Sequence, residues 1–132
     1  MSTASRSLVL AALAVLGAFP TAAAPPLAIH IHSERAMFQV LVSPGTVGTD
    51  SFVLQLMSGD GSLLAVREAT MVLSLPERGV DPLLRKAALG ADGFWHVSDV
   101  PIPQPGRWHV RIDAVTDFQK ITLEDDFEVP AH

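Results

Sequence analysis

The stretch "LAIHIHSERAMFQVLVSPGTVGTDSFVLQLM", residues 27–57, decides the fold class. Ile29 and Ile31 alternate with His30 and His32, and Phe38, Val40 and Val42 with Gln39 and Leu41. Phe52, Leu54 and Leu56 alternate in the same way with Val53, Gln55 and Met57. Successive side chains of an extended chain point to opposite faces, so a period of two gives each segment one apolar face and one mixed face. Three strands are predicted, with "SPGTVGTD" supplying the turn between the second and the third.

The same period continues outward. Met71, Leu73 and Leu75 form the next set, followed by "RKAAL" (85–89), "GFWHV" (93–97), "RWHVRIDAV" (107–115) and "KITLEDDFEV" (120–129). Between them lie "SGDGS", "LPERGVDP", "GADG" and "PIPQPG", rich in the residues that close antiparallel hairpins. No helical stripe of useful length interrupts the series after the first residues. Seven or eight short, evenly spaced strands imply an all-β, immunoglobulin-like antiparallel β-sandwich over 24–132. With neither Cys nor Tyr in the chain, the disulfide and the tyrosine corner of antibody domains are absent, so the likeness is one of architecture. Prolines 101, 103 and 105 point to an edge segment.

A chain of 132 residues with 48% hydrophobic content supports one domain and one core. The 17% charged fraction is too low for a disordered chain. A formal net charge of -5, with the basic residues scattered, offers no face for nucleic acid, and none is expected as a partner.

The first residues read as an address. Arg6 precedes an apolar run from Leu8 to Phe19, and "PTAAAPP" follows with small residues and a helix breaker. That order is the signal-peptide scheme, and the run falls short of the roughly 20 residues that cross a bilayer. Proline directly after the scissile bond would block cleavage behind Ala24, so Thr21-Ala22-Ala23 is the expected recognition triplet. Residues 1–23 are then a signal peptide, the mature chain starts at Ala24, and the location is periplasmic. The remnant of a last membrane helix is the alternative; Arg6 and the Ala-rich exit favour the signal. Without cysteine, an exported chain must rely on its core, and thiolate ligands, thiol nucleophiles and lipoprotein anchoring are excluded.

Metal chemistry is left to His, Met and carboxylates. His30 and His32 stand two apart, so their alpha carbons are about 7 Å apart on one strand face and the rings can converge while Ile29 and Ile31 enter the core. Two neutral imidazoles suit Cu(II), Ni(II) or Zn(II), and the thioether of Met37 would add a soft ligand for Cu(I). The motif is short and common, and it equally fits the solvated face of a first strand. His96 and His109 each follow a tryptophan and read as surface or rim residues, although pairing of their strands would bring them together. Met57 and Met71 fit core filling or surface packing. Glu124, Asp125, Asp126 and Glu128 read as a solvated final strand. With no phosphate loop, no HExxH and no Gly-x-Ser-x-Gly around Ser51, an enzyme is not expected.

The leading His-x-His before "AMFQVLVSPG", the "LSLPERG" turn, "PGRWHVRID" and "DFQKITLEDDFEV" together resemble the exported C-terminal domain of the bacterial copper resistance protein D (CopD) family and its CopC-CopD fusions. The resemblance spans essentially the whole mature chain, and standalone YtkA-like domains share the architecture. It implies a periplasmic module in copper homeostasis or resistance, with copper as the bound ion and a membrane copper transporter or periplasmic copper protein as partner. By position it carries over only to His30 and His32, with Met37 near them. The multi-helix membrane bundle and the CopC domain of that family are not in this chain, so transport is not implied. The other reading is a non-metal interaction module that docks on a membrane or periplasmic partner.

Overall fold

The computed structural model describes residues 26–131, so the expected signal segment lies outside the described residues. Nine strands form two antiparallel sheets: β1 (Leu27–His32), β2 (Ala36–Ser43), β3 (Gly48–Ser58), β4 (Val66–Leu75), β5 (Val80–Lys86), β6 (Ala88–Leu89), β7 (Trp95–Ile102), β8 (Gly106–Thr116) and β9 (Lys120–Val129). One sheet runs β1-β2-β3-β7-β6 and the other β5-β4-β8-β9, which is the expected all-β sandwich with nine strands among the described residues instead of seven or eight. No helix among the described residues is long and apolar enough to cross a membrane.

The alternation read from sequence sets the two inner faces. Ile29, Ile31, Phe38, Val40, Val42, Phe52, Leu54 and Leu56 are buried from the first sheet, and Met71, Leu73, Leu75, Trp108, Val110 and Ile112 from the second. Trp95 and Trp108 enter this core from opposite sheets. Burial of such apolar side chains, at about 1.5–3 kcal/mol each, is the main force holding the layers together.

Two local departures from the simple strand reading have identifiable causes. "RKAAL" is not one strand: Arg85 and Lys86 pair with β4, whereas Ala88 and Leu89 pair with β7 in the other sheet. The half-buried Ala87 donates its N–H to the Ala69 carbonyl and marks the crossing between sheets. "LPERGVDP" is a turn only in its first part. Pro76–Arg78 form one 3-10 turn, Gly79 takes the left-handed conformation with φ 68°, and Val80 already begins β5.

Edges of the sheets carry their own protection. Beyond His96, β7 has no partner on its far side among the described residues, and Pro101 sits there, as the proline series implied. On β9, Asp125 has the inward phase, opposite Val110, yet is exposed because β9 is an edge strand. A charge there discourages pairing with another chain. β1 and β9, the edge strands of the two sheets, lie against each other along one side of the sandwich.

Candidate metal centre

β1 is the first edge of its sheet, and its alternation sends Ile29 and Ile31 inward and leaves His30 and His32 exposed on the outer face. The two rings stack, with centroids 6.4 Å apart and planes inclined by 19°. Antiparallel pairing with β2 sets His30 opposite Gln39 and His32 opposite Met37. Met37 is half-buried on the same outer face. All three residues singled out in the sequence are therefore neighbours, and register is what makes Met37 the partner of His32 rather than of His30.

Pairing of β2 with β3 extends the two rows. Gln39 stands opposite Gln55 and Met37 opposite Met57. Met57 is half-buried and faces outward, whereas Met71 is fully buried in the core. Leu63 forms an isolated bridge to Met57 and flanks the row on its far side. In the sequence Met57 reads as a packing residue, because alternation along one strand carries no information on its cross-strand neighbour. The separation from Met37 in sequence, 20 positions, carries no signal of contact without the register.

The histidine and methionine donors that β1, β2 and β3 present outward are two imidazoles and two thioethers. No group of three or more His, Asp or Glu residues that could hold an ion occurs among the described residues, so any ion here must use sulfur beside nitrogen or take only the two imidazoles. Imidazole nitrogen suits Cu(II), Ni(II) and Zn(II), and the thioethers shift the preference towards Cu(I). The residues present fit copper in either oxidation state by donor chemistry.

The other two histidines among the described residues are held elsewhere. His96 lies on the outer face of the first sheet between Val53 and Ala88, and its Nε2 sits 3.0 Å from both carboxylate oxygens of Asp92. A Cβ on Gly90 would come within 2.6 Å of that ring, so the glycine is what leaves room for it. His109 lies on the outer face of the second sheet. Although β7 and β8 are consecutive, they belong to different sheets, so His96 and His109 are not brought together.

His109 is instead part of a charged network. Its Nδ1 is 2.6 Å from Asp126 Oδ1 and its Nε2 is 2.6 Å from Glu124 Oε1. Arg107 donates from Nε to Asp126 Oδ2 at 3.1 Å. Both ring nitrogens thus face carboxylates, a setting that only the doubly protonated ring can satisfy by donating twice. The hydrogen bond to Asp126 holds the imidazole above its ordinary value of 6.5, with Glu124 adding to the shift against the effect of partial burial. Asp126 is held below 3.8 by His109 and Arg107. The two nitrogens point in opposite directions to different carboxylates, so the network is an ion-pair clamp between β8 and β9, not a chelating pocket. The solvated acidic strand expected from "LEDDFE" is accordingly tied down at Glu124 and Asp126.

At the end of the sandwich that carries the β1–β2 turn, Phe118 tips the β8–β9 hairpin and is 94% exposed. It lines a shallow depression with Leu64, Ala65, Thr116, Asp117 and Gln119. Leu63, 53% exposed, lies in the neighbouring β3–β4 loop. Arg35 Nη1 donates to Gln119 Oε1 at 3.2 Å, tying the β1–β2 turn to this hairpin.

No family model, curated protein or solved structure matches this chain.

Proposed function

We infer that the chain is a periplasmic, exported sandwich domain that binds copper weakly or transiently on the outer face of β1 and serves copper homeostasis. The observation that carries this reading is the pair of stacked, exposed imidazoles of His30 and His32 with the Met37 thioether opposite His32. The sequence likeness to the CopD C-terminal domain, carried in part by the same His-x-His, also supports it. We assign the domain no catalytic step; its work is to hold an ion and to meet a membrane copper transporter or a periplasmic copper protein.

Placement on an edge strand suits transient binding. Solvent reaches both rings, and an ion so placed can pass to a partner's ligands without unfolding any element. The test is a Cu(II) competition titration of the wild type and of the His30→Ala, His32→Ala double variant at pH 7.5, with melting curves alongside. A ligand that binds only the folded state must raise its melting temperature. Saturable binding and a raised melting point in the wild type, both lost in the double variant, are expected. Equal Cu(II) affinity in the two proteins would overturn the site.

One observation favours a second reading. Phe118 and Leu63 expose apolar surface at the β8–β9 hairpin end, as a module docking on a membrane or periplasmic partner would. If copper neither binds the wild type nor raises its melting point, this non-metal interaction module becomes the better reading.

A further inference from the structure

Three strands place His32, Met37 and Met57 in one row: His32 is opposite Met37 on β2, and Met37 is opposite Met57 on β3. Adjacent strands are about 4.8 Å apart, so the outer two members of the row are separated by roughly 10 Å across the middle one. An imidazole and a thioether leaning inward from the two sides can meet an ion above Met37. We propose that this row is a Cu(I) site with one nitrogen and two sulfur ligands, distinct in composition from the His30–His32 pair and sharing His32 with it.

The reasons are chemical and positional. Thioethers are neutral, soft donors that select Cu(I), and two of them beside one imidazole make a softer set than the histidine pair. Met37 and Met57 are half-buried on the outer face, so their sulfurs are neither lost in the core nor fully hydrated. Met71, by contrast, is fully buried and serves packing alone. Leu63 beside Met57 supplies an apolar wall, which suits an ion of low charge better than a strongly hydrated dication. His30 faces Gln39 in the next row and takes no part in the Cu(I) set. The oxidation state therefore chooses the second anchor: His30 for Cu(II), the methionines for Cu(I), with His32 common to both.

This inference rests on the copper reading, and the experiment separates the two. Cu(I) affinity is measured anaerobically against a chromophoric chelator, with Ag(I) as a redox-inert probe, and Cu(II) affinity by competition titration. The wild type is compared with Met57→Leu, His30→Ala and His32→Ala. Met57→Leu conserves volume and apolar character, so the fold is retained and its melting point serves as the control. At least a tenfold loss of Cu(I) and Ag(I) affinity is expected in Met57→Leu with Cu(II) affinity unchanged. His30→Ala should show the reverse, and His32→Ala should lose both. In protein labelled with 13C at the methionine methyls, Ag(I) should shift the Met37 and Met57 signals and leave Met71 in place. Unchanged Cu(I) and Ag(I) affinity in Met57→Leu overturns the row while leaving the histidine pair standing. A wild type that binds neither oxidation state overturns both readings.

Discussion

His109 on β8 stands directly opposite Asp126 on β9, with Nδ1 2.6 Å from Oδ1, while Glu124 holds the other ring nitrogen at the same distance. This clamp makes the stability of the second sheet depend on pH, and the sign follows from the direction of each shift. The imidazole is raised above 6.5, so its contribution is fully present below about pH 6.5 and is lost as pH rises through the folded value. Asp126 is lowered from 3.8, so its contribution is present above about pH 3.8 and is lost as pH falls through the folded value. The clamp is strongest between those limits. His109→Gln should therefore lower the melting temperature more at pH 5 than at pH 9. Equal losses at the two values would show that the ring acts by packing alone.

Trp108 is 1% exposed, stands directly opposite Phe127 of β9 and shares the buried inner face with Val110. Its Nε1 donates to the Gln104 carbonyl at 3.0 Å, so the one polar atom of the ring is satisfied. Trp108→Ala should cost about 3–5 kcal/mol, a large share of a domain's stability, read as a fall in denaturant midpoint. A midpoint close to that of the wild type would remove Trp108 from the core.

Asp50 is 1% exposed and accepts the Gly45 N–H on Oδ2 at 3.1 Å, while its Oδ1 has no hydrogen-bond partner. Burial pushes this carboxyl above 3.8. Its contribution to stability is present below the unfolded value and is lost as pH rises through the folded one. Asp50→Asn keeps an acceptor for Gly45 and removes the buried charge, so at pH 7 it should be at least as stable as the wild type. Asp50→Ala strands the buried Gly45 N–H and should cost about 1–3 kcal/mol in chemical denaturation. An alanine variant as stable as the asparagine variant would show that the bond to the β2–β3 turn carries nothing.

For the histidine pair, protons and metal compete for the same ring nitrogens. Cu(II) affinity of the wild type should drop steeply between pH 7.5 and pH 5.0, whereas thioether sulfur takes up no proton in this range and the Cu(I) row should lose less. Without metal, His30→Ala and His32→Ala should melt within a few degrees of the wild type, because both rings are exposed and stand away from Ile29 and Ile31. A pH-independent Cu(II) affinity would move the binding site away from the imidazoles.

Export with cleavage between Ala23 and Ala24 would give a mature chain starting at Ala24. Intact-mass measurement of the periplasmic fraction checks it. A chain found in the membrane fraction with Leu8 to Phe19 still attached would favour the membrane-helix remnant.

Alternation along each segment was sufficient to assign faces: Ile29 and Ile31 inward against His30 and His32, and Trp108 inward against His109. Those assignments are local, because the pleat of one strand alone sends neighbouring side chains to opposite sides. The turn residues marked most strand ends for the same reason, and the left-handed Gly79 closes the 3-10 turn before β5. Sheet membership and register were decided only by tertiary pairing. Nothing in "RKAAL" says that Lys86 belongs to one sheet and Ala88 to the other, since that split depends on what β4 and β7 offer on their open sides. Likewise the meeting of Met37 with Met57, the capture of His109 between Asp126 and Glu124, and the separation of His96 from His109 follow from hydrogen-bonded ladders between distant segments. A one-residue slip in any ladder would change every such neighbour, and it is burial of one apolar face against the other sheet that forbids the slip.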